Sequence, residues 1–200
     1  MTAAMHAYAV PDSDAVAIAR SVREPDYFAA VFDRHYCQIH GYVTRRLGQN
    51  LADDVTAETF LVAFTRRGRY DRDHPDARPW LYGIASNLIS QHRRSERRRY
   101  RAMARAGTDE VSEGHADRVA TRLDAQARRG PLAAALAGIA RKDRDVLLLV
   151  AWADLTCEEA ARALGIPAGT ARSRLHRARK KIRGALDQTR PATMLGKDQS

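Results

Sequence analysis

A chain of 200 residues holds one large domain or two small ones, and a hydrophobic share of 44% suffices for a core in either case. The formal net charge of +10 calls for a polyanionic partner, nucleic acid or an anionic membrane surface, yet no apolar run could span a bilayer and the N-terminus has no secretory signal pattern. Cys37 and Cys157 form no CxxC pair, which suits a reducing compartment, excludes a disulfide scaffold and places the expected location in the cytoplasm.

Residues 1–25 carry a short helix over Asp14–Val22 closed by Pro25, with no strong apolar face, and read as a mobile lead-in. From Tyr27 to Leu47, Phe28, Phe32, Tyr36, Ile39, Val43 and Leu47 recur at helical spacing, and Gly48 is the stop signal. His35, Cys37 and His40 lie within this helix. Residues two apart on a helix face different ways, so these three make no metal site.

A second helix runs from Leu51 to about Arg67, with Leu51, Val55 and Val62 on one apolar side and Phe60 and Phe64 on another. Asp53, Asp54 and Glu58 near its start favour the helix dipole, and in so basic a chain they also offer a protein-docking patch. Gly68 to Pro79 is rich in turn residues and reads as a loop. Trp80, Ile84, Leu88 and Ile89 then begin a third helix, in which Trp80 and Tyr82 read as core and rim packing. It continues into Arg93, Arg94, Arg97, Arg98, Arg99, Arg101 and Arg105, a cationic run suited to a nucleic-acid backbone.

Residues 106–130 lose apolar periodicity and read as a linker. Pro131 opens a second domain, with Leu132, Leu136 and Ile139 facing inward, and Val146, Leu147, Leu149, Val150 and Trp152 mark its next helix. Thr156 and Glu159 then form a capping box ahead of Ala160, Ala161 and Leu164. Gly165 supplies the left-handed residue that ends this helix, and Pro167 is tolerated only in the first turn of a new one. In the new helix Ala171, Leu175, Ala178, Ile182 and Leu186 form the packing side, while cations fill the remaining faces. A short helix, a glycine turn and a second helix with polar residues near its N-terminus form the helix-turn-helix that places its second helix in the major groove. Arg172, Ser173 and His176 share one outward face and are the expected base readers. Arg174 and Arg177 lie at the flank, and Lys180, Lys181 and Arg183 lead toward the backbone. The expected fold is all-α: two small helical domains over 26–105 and 131–187, joined by a flexible linker, with a short tail over 188–200.

DDVTAETF at 53–60, PWLYGIASNLISQHRR at 79–94 and DRDVLLLVAWADLTCEEAARALGIPAGTARSRLHRARKKI at 143–182 occur in an order that resembles the bacterial RNA polymerase sigma factors of the small extracytoplasmic-function type. The likeness covers roughly residues 27–187. It implies a protein that binds core RNA polymerase and directs it to promoters, the polymerase doing the chemistry and no cofactor being consumed. Asp53, Asp54 and Glu58 would meet the clamp of the largest subunit, and Ala57 stands where the family usually carries Gln. Arg69, Tyr70, Asn87, Gln91, Arg93 and Arg94 would hold the minus-10 element, where an unstacked base needs a pocket and its backbone needs cations. Thr170, Arg172, Ser173, Arg174, His176, Arg177 and Lys180 would meet the minus-35 element. The further partners it implies are the flap of the second-largest subunit and an anti-sigma protein. No catalytic triad, nucleotide-binding glycine loop or metal cluster stands out in the sequence. A simple DNA-binding regulator would need only the helix-turn-helix. A nucleic-acid enzyme would need converging carboxylates, and Asp53 and Asp54 are neighbours pointing apart.

Overall fold

A computed structural model describes residues 13–106 and 135–187, and every regular element among them is helical. They belong to two compact units. The expected linker, the helix start at Pro131 and Leu132, and the tail over 188–200 lie outside the described residues, as does the side chain of Leu186.

The first unit contains α1 (Asp14–Ser21), α2 (Ala29–Leu47), α3 (Ala52–Arg66) and the long α4 (Arg78–Ala106), with single 3-10 turns at Pro25–Phe28, Gln49–Leu51 and Arg67–Arg69. Gly48, at φ 89, ends α2 in a conformation an L side chain resists. The core is built from Val31, Ile39, Tyr42 and Val43 of α2, Val55, Phe60 and Ala63 of α3, and Leu81, Ala85 and Ile89 of α4, all buried. Each large apolar side chain among them contributes about 1.5–3 kcal/mol by leaving water. A buried polar chain runs through this core: the Arg46 guanidinium donates to Tyr42 Oη at 2.9 Å, and Tyr42 Oη shares a hydrogen bond with Ser86 Oγ at 3.1 Å.

Two expectations change here. The inner face of α2 is Val31, His35, Ile39 and Tyr42, so Phe32 stands 38% exposed on its shoulder, against Phe60 at 4.8 Å between ring centroids. Nor are residues 13–25 a lead-in. Ser13 caps α1 by accepting from the Val16 N–H, Ala17 and Ile18 are fully buried, and the Arg67 Nε donates to the Ser21 carbonyl at 3.1 Å while its guanidinium lies over the Phe64 ring. The α1 face is made of Asp14, Ala17, Ile18 and Ser21. It escapes a hydrophobicity reading because half of it is polar and satisfied by hydrogen bonds.

In the second unit a helical turn at 135–137 precedes α5 (Arg141–Trp152), α6 (Cys157–Leu164) and α7 (Ala168–Asp187). Ile139, Val146, Leu147 and Leu149 are buried, and so are Ala171, Leu175 and Ala178, which pack α7 along α5. The capping box forms: Thr156 Oγ1 accepts from the Glu159 N–H at 3.2 Å and Glu159 Oε2 accepts from the Thr156 N–H at 2.7 Å. At the other end of α6, the Ile166 N–H reaches the Ala161 carbonyl and the Gly165 N–H the Arg162 carbonyl, with Gly165 at φ 61. That is the Schellman arrangement, and it turns the chain into α7.

Candidate nucleic-acid interface

The turn after Gly165 and the packing of Ala171, Leu175 and Ala178 decide which side of α7 faces water. Arg172, Ser173 and His176 are exposed together on it, and Thr170 and Arg174 are half-buried at its border. Ser173 Oγ donates back to the Thr170 carbonyl at 2.9 Å. Two cations of this helix are held by carboxylates of the same unit. The Arg172 Nη2 donates to Glu158 Oε1 of α6 at 2.7 Å, and the Arg177 Nε and Nη2 donate to the two oxygens of Asp143 on α5 at 3.0 and 2.9 Å. The Arg177 hydrogen bond holds the Asp143 carboxyl below the usual carboxylate range against the opposing effect of burial, and the charges of Arg177 and Arg174 add to it. Arg177, Lys180 and Lys181 line a shallow groove with Gly184 and Ala185 farther along α7. Glu158 and Asp143 have no reading in the sequence beyond helix-start acids. Their partners lie 14 and 34 residues away and meet them only through the fold.

In the first unit Asp53, Asp54 and Glu58 are exposed on α3, with Asp53 Oδ1 beside His40 Nε2 at 3.0 Å. On α4, Asn87, Gln91, Arg94 and Arg98 follow one another at spacings of four, three and four, and all four are exposed. The two sets meet: Val55 and Glu58 of α3 form one wall of a cleft, and Gln91, His92, Arg94, Ser95 and Arg98 of α4 the other. Arg69 is exposed at the end of the 3-10 turn.

Two expected minus-10 residues stand elsewhere. Arg93 is 9% exposed and its Nη2 donates to the Arg46 carbonyl, so it ties α4 to the end of α2. It lies four residues after Ile89 and seven after Ser86, both buried, and helical phase therefore turns it inward with them, away from the side that carries Asn87 and Arg94. Tyr70 is also buried. Its ring lies 4.9 Å from Trp80 and its hydroxyl donates to the His74 carbonyl at 2.6 Å. Burial, with the carboxylates of Asp14, Asp76 and Asp71, pushes the Tyr70 phenol up. It shapes the loop over 70–77 from inside.

The three metal-tempting side chains of α2 diverge: His35 is buried, Cys37 exposed, and His40 turned to Asp53. His35 instead joins Asp14 and Asp76 in a group whose donor atoms lie within 4.8 Å of one another. N–H donors occupy it. Asp14 takes His35, Arg34 and the Ala77 N–H, and Asp76 takes the Arg78 N–H and Nε. A hydrogen-bonded clasp accounts for the cluster.

The chain matches the family described as Sigma-70 region 2 over residues 31–99 and that described as Sigma-70, region 4 over residues 129–182. It is 33% identical over 162 residues to the ECF RNA polymerase sigma factor SigL of Mycobacterium tuberculosis, covering 80% of this chain and 88% of that one. With the RNA polymerase sigma factor CarQ of Myxococcus xanthus it shares 31% over 166 residues, or 82% and 91% of the two chains. The fold also resembles that of CnrH, solved in complex with the cytosolic domain of CnrY, with a TM-score of 0.60 at 22% identity over 88% of this chain and 99% of that one.

Proposed function

As the chain belongs to the extracytoplasmic-function sigma factors and directs promoter-specific transcription initiation with core RNA polymerase, we propose a division of that work among its surfaces. Asp53, Asp54 and Glu58 dock the clamp of the polymerase. Arg69, Asn87, Gln91 and Arg94, with the loop over 70–77, take the unwound minus-10 strand: the loop and Asn87 receive an extruded base and the arginines follow its phosphates. Arg93 and Tyr70 support this site from the core. At the minus-35 element Arg172, Ser173 and His176 read base edges, while Thr170, Arg174, Arg177 and Lys180 set the grip on the backbone. The polymerase performs the catalysis, and the protein works in the cytoplasm. No helix among the described residues is long and apolar enough to cross a membrane.

The observation that carries this reading is the sorting of α7. Its small and apolar residues are buried on one side, and the polar residues of its first turns stand together on the other, directly after a Schellman turn. The test is a promoter-binding titration of the holoenzyme at several salt concentrations, with matched and scrambled minus-35 elements. Arg172→Ala should weaken the matched element by about ten- to a hundredfold, the range of a lost bidentate base contact, and the scrambled one much less. Lys180→Ala should weaken both alike and make the slope of log affinity against log salt shallower by about one. Equal losses for Arg172→Ala on both elements, with Lys180→Ala affecting only the matched one, would show the faces inverted.

A further inference from the structure

The loop over 70–77 is short, and its tip is polar and exposed: Asp71, Arg72, Asp73 and Pro75 all face water. Its own interactions are local. Asp71 Oδ1 accepts from the Asp73 N–H at 3.1 Å, the Asp71 carbonyl accepts from the His74 N–H at 3.3 Å, His74 Nε2 lies 3.6 Å from Asp71 Oδ2 at the exposed tip, and Tyr70 reaches the His74 carbonyl from below. A segment held this lightly does not keep one shape by itself.

What fixes it is a residue 63 positions before its last member. Asp14 is 3% exposed, and it holds the loop on both sides of Asp76: its N–H donates to the Pro75 carbonyl at 3.1 Å, and its Oδ2 accepts from the Ala77 N–H at 2.8 Å. The carboxylate is in turn oriented from α2. His35 Nε2 meets Oδ2 at 2.7 Å, and the Arg34 guanidinium donates to Oδ1. The charge is therefore kept in the interior by three donors of different origin, which is the condition for a buried carboxylate to be tolerated. The side chain of Asp76, between the two pinned peptides, is taken up by Arg78, with its oxygens at 2.8 Å from the Arg78 N–H and 2.7 Å from the Nε. A helix that merely needed an acid in its first turn could have used an exposed one.

We propose that Asp14 is a positioning residue for base selection at the minus-10 element, holding the 70–77 loop in the one shape that receives the extruded base. The proposal rests on the reading that this loop takes such a base. Asp14 touches no nucleic acid itself. It acts through the Pro75 and Ala77 peptides, and its effect is on discrimination between bases rather than on attraction to the strand, since the cations assigned to phosphate, Arg69 before the loop and Arg94 on α4, lie outside the two peptides it holds.

The experiment measures holoenzyme binding to a premelted promoter bubble carrying each of the four bases in turn at each minus-10 position. Premelting removes the cost of opening the duplex. Asp14→Asn keeps the size of the side chain but removes the charge that His35 and Arg34 hold. It should reduce the ratio of best to worst base by about five- to tenfold at the position the loop reads, out of the roughly ten- to hundredfold that a good base contact gives. Affinity for the worst base, the salt slope and binding to a minus-35 duplex should stay at the wild-type level. Ile18→Ala, which truncates a buried side chain of the same helix that makes none of the hydrogen bonds to the loop, is the comparison for a merely structural role and should leave the base ratio intact. If Asp14→Asn does not fold, Ala77→Pro, which deletes the N–H that Asp14 accepts, is read in its place. Wild-type base ratios in a folded Asp14→Asn protein, or an equal loss of ratio in Ile18→Ala, would overturn the proposal alone. A wild-type holoenzyme with no base preference in the bubble would overturn the loop reading, and this proposal with it.

Discussion

Asp143→Asn should make the recognition helix bind DNA more tightly and with a stronger dependence on salt. In the native protein the Nε and Nη2 of Arg177 are both committed to Asp143, at 3.0 and 2.9 Å, so the cation presented to a phosphate at that place is largely cancelled by the carboxylate beside it. As a member of the proposed grip it would therefore release fewer counterions from the DNA than an unpaired cation does. Asn at 143 is isosteric and neutral, and the guanidinium then counts as a full cation at the groove that Lys180 and Lys181 also line. One additional phosphate contact steepens the slope of log affinity against log salt by about 0.9, so between about 50 and 200 mM salt the variant should lose an extra three- to fourfold in affinity. Because the gain is to the backbone, matched and scrambled minus-35 elements should gain equally. Fluorescence anisotropy of holoenzyme on the two duplexes across that salt range makes the measurement, with thermal unfolding as the control for the lost ion pair. An unchanged slope, with only the matched element weakened, would refute this account and make Arg177 a base reader that Asp143 aims.

The acidic patch gives the next test: reversing both Asp54 and Glu58 to Lys should weaken core-polymerase binding by about tenfold or more while helical content by circular dichroism stays unchanged, as expected where two exposed charges are turned against a complementary surface. Ile18→Ala should cost about 2–5 kcal/mol in chemical denaturation, the range for truncating a fully buried Ile, whereas a residue in a mobile lead-in would cost nothing. The same helix should be sensitive to acid. Burial alone would raise the Asp14 carboxyl, but His35, the Ala77 N–H and Arg34 together hold it below the ordinary range. A carboxyl lowered on folding contributes stability that is complete above its unfolded value and is withdrawn as pH falls through the native one, so the loss should begin below about pH 4. Stability that rises with acid in that window would contradict the clasp.

The helix order, the capping box and the glycine turn before α7 are legible in the sequence because each is a local pattern. Thr156 and Glu159 are three residues apart, and Gly165 sits at the point where a left-handed residue must stand. The outward face of α7 is legible for the same reason, since its buried side repeats at spacings of three and four. What the sequence does not reveal is set by partners distant along the chain. Arg93 belongs to a run of arginines and looks like its neighbours, but helical phase turns it onto the Arg46 carbonyl 47 residues away, and the run itself carries no mark of which members turn inward. Tyr70 reads as a loop aromatic until Trp80 is seen beside it. Asp14 is the extreme case. As the first residue of a helix it has a sufficient local explanation in the dipole, and that explanation hides the peptides of the 70–77 loop that it holds.

The cleft between α3 and α4 joins two steps that the sequence presents as separate. Glu58 stands on one wall and Gln91 and Arg94 on the other, so the residue assigned to the polymerase faces the residues assigned to the strand. If the strand runs along Arg94 as proposed, the Glu58 carboxylate is a negative charge next to its phosphates in the isolated protein and opposes what Arg94 attracts. A polymerase cation paired with Glu58 would remove that opposition and so strengthen the attraction at Arg94. On the proposed assignment, docking would favour strand capture through a charge already in place. Linkage would make the effect reciprocal: a strand held at Arg94 would strengthen the hold on the polymerase by the same factor. An acid beside a DNA-binding cation, which would be a defect in a protein that had only to bind DNA, suits one that has to bind it after finding its enzyme.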